Sequence, residues 1–149
     1  MDNPYLSTAS AFLIDTVFGL YILLVLLRFL LQLARADFYN PICQFLVKAT
    51  NPPLKPLRRI IPGLWKIDLA SVVLLLALQM CALWLLDLAI GRSPSIAGLF
   101  VLSTAALLAL TLNTFLVAIL IQVILSWFGP GSYNNPVFSI LHSLNEPLL

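Results

Sequence analysis

Three stretches of this chain are almost unbroken in apolar residues, and proline, asparagine and basic residues concentrate between them. The first runs from about Ala9 to Leu33. At 1.5 Å of rise per residue it reaches roughly 37 Å as a helix, enough to cross a hydrocarbon layer of about 30 Å with some tilt. The second runs from about Ile67 to Ile90, with Asp68 placed as an N-cap whose carboxylate would accept from free backbone N–H groups. The third, Ile96 to Phe128, would reach about 50 Å as one straight helix, well beyond that thickness. The pattern therefore predicts an interfacial or re-entrant lead-in over 96–107 and a crossing helix over 108–128. The polar patch Thr111, Asn113 and Thr114 lies near the junction, and one steeply tilted helix is the alternative.

The segment 34–66 has a different pattern. Asn40-Pro41 reads as an N-cap and first helical residue. Ile42, Phe45, Leu46 and Ala49 then share one helical face, with Gln44 and Lys48 opposite. Asn51-Pro52-Pro53 is expected to stop this helix, because the residue before a proline is driven out of the helical region. A second short amphipathic piece is expected from Leu54 to Ile61, with Leu54, Leu57 and Ile61 on one face and Lys55, Arg58 and Arg59 on another. Pro62-Gly63 ends it, and Trp65 follows as an interfacial aromatic. Both pieces are expected to lie along the membrane surface.

Composition agrees with the pattern. Hydrophobic residues make up 61% of the chain, charged residues 9%, and mean hydropathy is +1.02. Soluble domains are about a quarter charged, so this apolar excess calls for lipid. Six of the eight basic residues (Arg35, Lys48, Lys55, Arg58, Arg59 and Lys66) fall in 34–66, against the single acid Asp37. Lysine and arginine in short loops mark the cytoplasmic side, so this loop and the residues after the third span read as inside, the N-terminus as periplasmic. The first 27 residues hold no Lys or Arg, and no cleavable secretory signal is expected. Two separated cysteines and one histidine suggest no metal site, haem site or disulfide.

The chain also resembles itself. Arg28 aligns with Gln122, Gln32 with Ser126 and Leu33 with Trp127. After a one-residue insertion, Asn40-Pro41 aligns with Asn135-Pro136, Phe45-Leu46 with Ile140-Leu141, and Pro52 with Pro147. This predicts a parallel repeat of about 95 residues, each unit holding a span, an Asn-Pro-led amphipathic helix and a proline stop. The first unit is 1–95, with spans 9–33 and 67–90 around loop 34–66. The second, 96–149, is incomplete and has its amphipathic segment at 135–146. The expectation follows that the natural product continues past Leu149 with a basic segment and a fourth helix.

These residues carry a family resemblance. Asp37-Phe-Tyr-Asn-Pro41, Pro56-Leu-Arg-Arg-Ile-Ile-Pro62 and Ile67-Asp-Leu-Ala-Ser71, joined to a degenerate second copy, resemble the YggT (YlmG-like) family of bacterial membrane proteins across essentially the whole chain. The resemblance implies an inner-membrane protein, usually of two such modules, with links to osmotic and potassium stress. Among plastid and cyanobacterial relatives it implies links to cytochrome b maturation and to nucleoid or division organisation. It carries over no catalytic residue.

Candidate sites follow from position. Lys48, Lys55, Arg58, Arg59 and Lys66 form a basic face suited to anionic lipid or an acidic partner, beyond enforcing topology. Arg28, inside the first span, is expected to snorkel to the interface, with pairing to Gln122 the alternative. Asp15 and Asp87 lie at comparable depth in the outer parts of their spans. With Gln79 and Asn113 they are the candidates for an ion path, against plain exposure to interfacial water. Tyr21, Gln79, Asn113 and Gln122 are candidates for hydrogen bonds between helices.

The fold class expected is an all-α membrane protein with three transmembrane helices and short interfacial amphipathic helices. The leading function is a non-enzymatic protein that organises lipid or scaffolds a membrane complex. Its partners would be anionic lipids, other membrane subunits or further copies of itself, with no cofactor and no nucleic acid. The alternative is ion transport in osmotic or potassium balance.

Overall fold

The computed structural model describes residues 4–34, 40–61, 68–128 and 135–146. It contains five α-helices: α1 (Pro4–Leu33), α2 (Pro41–Ile60), α3 (Leu69–Ala89), α4 (Ile96–Trp127) and α5 (Pro136–Asn145), with no strand among the described residues. Helices α1, α3 and α4 are long and apolar enough to cross a membrane. Large side chains such as Phe12, Leu13, Val17, Leu112 and Leu116 stand exposed along them. Water would penalise that surface and lipid does not. The chain is an all-α membrane protein.

α3 lies between α1 and α4 and packs on both, while α2 packs on α1 and α3, and α5 on α4, α1 and α2. The core sits where α2 meets the spans, around Ile22, Val25, Leu26, Leu54, Leu74 and Leu75. The helix ends explain the turns. Asn40 and Asn135 are extended and accept from the N–H of Ile42 and Val137 at 3.0 and 3.1 Å, each with proline as the first helical residue. α3 ends in a Schellman turn: the N–H of Arg92 bonds Asp87 O at 2.8 Å and that of Gly91 bonds Leu88 O at 3.1 Å. Gly91 takes the left-handed φ of 75° that this turn needs. Ser95 Oγ caps α4 by accepting from the N–H of Gly98, where a Cβ would come within 2.8 Å of that oxygen.

Several expectations require correction. The prolines do not divide the loop into two short helices: α2 runs unbroken through Pro52, Pro53 and Pro56. Of the expected apolar face, Leu46, Leu54, Leu57 and Ile61 do turn to the core, but Phe45 does not. Its buried residues are Cys43, Leu46, Thr50 and Leu54, and Phe45 is 60% exposed. α2 is therefore an integral part of the bundle, with its inner stripe turned from the Ile42–Phe45 side toward Cys43 and Thr50. The break expected between 96–107 and 108–128 is absent, and α4 is one 32-residue helix. Its polar patch does not interrupt it, because Thr111 and Thr114 return their hydroxyls to Leu107 O and Leu110 O one turn back. Asp68 stands at the N-cap position of α3, but its carboxylate makes no capping hydrogen bond; it is turned to side chains instead. The residues 62–67, with Trp65 and Lys66, and 35–39, with Arg35 and Asp37, lie outside the described residues.

Candidate functional site

Prolines inside a helix set the chemistry of α2. Pro52, Pro53 and Pro56 have no N–H, so the carbonyls four residues before them, those of Lys48, Ala49 and Pro52, lose their helical donors. In an apolar setting a free carbonyl needs another partner. Tyr21, on α1, donates its hydroxyl to Ala49 O at 3.0 Å. Seven residues on, and on the same face of α1, Arg28 reaches the same turn. Its Nη1 donates to Thr50 Oγ1 at 2.6 Å, to Asn51 Oδ1 at 2.9 Å and, longer, to Val47 O at 3.5 Å. Thr50 passes its own proton back to Leu46 O at 2.7 Å. Two donors of α1 thus support the stretch of α2 that prolines would otherwise open.

Arg28 is only 5% exposed. The snorkelling expectation is overturned, because the guanidinium finds its partners inside the protein, on α2. The alternative partner, Gln122, is bonded elsewhere: its Oε1 accepts from Asn145 Nδ2 at 2.6 Å, tying α4 to α5. In the self-alignment Gln122 corresponds to Arg28 and Asn145 to Thr50. The two bonds therefore occupy corresponding places in the alignment, one from a charged donor and one between neutral groups.

The far end of α2 is held to α3. Arg58 donates through Nε and Nη2 to Asp68 Oδ2 at 3.2 and 2.5 Å, and Ser71 Oγ donates to the same oxygen at 2.8 Å. The Arg58 Nη2 also approaches Gln32 Oε1 of α1 at 3.4 Å. Burial pushes the Asp68 carboxyl up, but the bonds from Arg58 and Ser71 outweigh it and hold the group below its ordinary value. Arg28 and Arg58, two cations against the one carboxylate of Asp68, place an excess positive charge where α1, α2 and α3 meet.

Of the expected basic face, Lys48, Lys55 and Arg59 are exposed, and Arg58 is partly committed to Asp68; Lys66 lies outside the described residues. Asp15 is exposed on α1, Asp87 and Gln79 are half-buried on α3, and the four ion-path candidates share no hydrogen bond. Asn113 alone among them faces an open groove beside α4. No group of three His, Cys, Asp or Glu side chains that could hold a metal occurs among the described residues. Thr50 was not singled out in sequence, Asn51 was read only as part of a helix stop, and Ser71 only as part of a family motif. The signal available for the first two was the proline pair itself, which removes two helical donors beside a polar turn.

Three apolar spans with one proline-rich helix clamped against them at one end define the class: a small multi-span membrane protein with a built-in loop helix. The CCB3/YggT family model matches residues 7–89, and the chain belongs to this family. It is 49% identical to a Pseudomonas aeruginosa protein over 97% of its own length and 74% of the relative's. It is 44% identical to a Vibrio alginolyticus protein encoded 3′ of proC, over 94% and 76%, and 39% identical to the uncharacterized Escherichia coli protein YggT, over 93% and 71%. No solved structure matches the chain.

Proposed function

We propose that the protein is a non-enzymatic component of the bacterial inner membrane that binds anionic lipid through α2 and so organises lipid or a membrane complex at the cytoplasmic face. The orientation rests on the positive-inside bias of residues 34–66. The observation that carries the reading is that α2 is fastened to α1 and α3 while Lys48, Lys55 and Arg59 stay exposed on it. A rigid helix that presents fixed cations, with exposed Phe45 and Ile60 beside them, matches an interface of headgroups and acyl chains. Arg58 is set apart from this surface because its guanidinium already serves Asp68.

The test is a variant with Lys48, Lys55 and Arg59 changed to glutamine, compared in nanodiscs with and without anionic lipid. A basic residue near such a surface is worth about 1 kcal/mol, so affinity for anionic lipid should drop about fivefold per charge removed. Equal retention of anionic lipid by the variant and the parent would refute the reading. Ion transport is the second reading. It needs Asp15, Gln79, Asp87 and Asn113 to converge, and potassium or proton flux above empty vesicles would support it.

A further inference from the structure

The turns of α2 that prolines open have an outward side as well as an inward one. Prolines at 52, 53 and 56 remove the helical donors of Lys48 O, Ala49 O and Pro52 O. The inward carbonyl, Ala49 O, is answered by the Tyr21 hydroxyl of α1. Lys48 and Pro52 are exposed, and no described side chain donates to either of their carbonyls. Four residues apart, they lie on one face of the helix. Lys55 and Arg59, seven and eleven residues after Lys48, fall on the same face and are exposed as well. Three cations and two open carbonyls thus form one row of roughly 16 Å. Helical carbonyls point toward the C-terminal end and tilt outward on the solvent side, so Pro52 O opens beside Lys55.

We propose that this row is a headgroup site that selects anionic lipids carrying a hydroxyl donor next to the phosphate, of the phosphatidylglycerol class. The phosphate sits on Lys55 and Arg59, and the headgroup hydroxyls donate to Pro52 O and Lys48 O. A bare phosphate satisfies the cations and leaves both carbonyls to water; a hydroxylated headgroup satisfies cations and carbonyls together. The cations set the affinity for negative charge, and the carbonyls set the preference among lipids of equal charge. The prolines are then the source of the selectivity, because they keep the two acceptors from being consumed by the helix itself. The inference rests on the anionic-lipid reading above and adds the class of headgroup to it.

The purified protein in mild detergent, titrated with single lipids and read by native mass spectrometry, tests this. The probes are phosphatidylglycerol, phosphatidylmethanol, which has the same charge and no headgroup hydroxyl, and neutral phosphatidylcholine. The parent should bind phosphatidylglycerol about fivefold more tightly than phosphatidylmethanol for each hydrogen bond made. Pro52→Ala combined with Pro56→Ala returns a helical N–H to both outward carbonyls and favours the helix, so it should abolish the preference and keep the affinity for phosphatidylmethanol. Pro53→Ala, which closes only the inward carbonyl, should keep the preference. Equal binding of the two anionic lipids by the parent, both above phosphatidylcholine, would overturn this inference and leave the anionic-lipid reading standing. Equal binding of all three lipids would overturn both. A preference that survives Pro52→Ala with Pro56→Ala would overturn the inference by placing the selection away from the freed carbonyls.

Discussion

Thr50 shows how a small side chain can hold a large one. Its hydroxyl accepts from Arg28 and donates to Leu46 O, so it satisfies a buried cation and its own helix together. Thr50→Val keeps the shape and removes both bonds. Hydrogen bonds to charged groups contribute about 1.5–3 kcal/mol, and a destabilisation in that range is expected by chemical denaturation in mild detergent, with no comparable change for exposed Ser139→Ala. Asp68 gives a pH dependence. Its folded pKa lies below the unfolded one, so the stability it adds is complete above about pH 4 and is lost only as pH falls through the lower folded value. Asp68→Asn should remove that acid dependence and lower stability at pH 7, as read from melting temperature across pH 3–7. A variant that melts as the parent does throughout would show that the pair with Arg58 contributes nothing.

At the scale of elements, the prolines of α2 and the donors of α1 form one device. Pro53→Ala restores an amide N–H to Ala49 O and so competes with Tyr21. Tyr21→Phe should cost about 1 kcal/mol in the parent and much less when combined with Pro53→Ala, a coupling that a double-mutant cycle measures. Additive effects would mean that the tyrosine hydroxyl and the freed carbonyl act independently. This device also explains what the sequence could and could not reveal. The span ends near Leu33 and Ile90 and the Asn-Pro caps at 40 and 135 were legible, because apolar runs and caps are local signals. The continuity of α2 was not. The rule that a residue before proline leaves the helix is local, and here Tyr21 and Arg28 of α1, 28 and 23 residues before the groups they bond, override it. Arg28 was visible as a charge in an apolar run, but its partners depend on how α2 docks. The expected split of α4 failed for a related reason: length alone suggested a break, while its threonines satisfy themselves within the helix.

At the scale of the whole molecule, α2 joins the spans at one end of the bundle, so the loop between α1 and α3 is a structural member with an exposed basic side. The polar clamp is what makes it so. Arg28 connects α1 to α2, Arg58 connects α2 to α3, and Asn145 connects α5 to α4. Removal of the first link should free α2 while the spans, held by lipid and by their own apolar contacts, remain helical. Hydrogen exchange of the α2 amides in nanodiscs, for the parent and for Arg28→Met, tests this most directly. Slow exchange over residues 42–60 is expected in the parent, comparable to α3, with at least tenfold faster exchange confined to α2 in the variant. Fast exchange of α2 in the parent, or rates unchanged by the substitution, would contradict it.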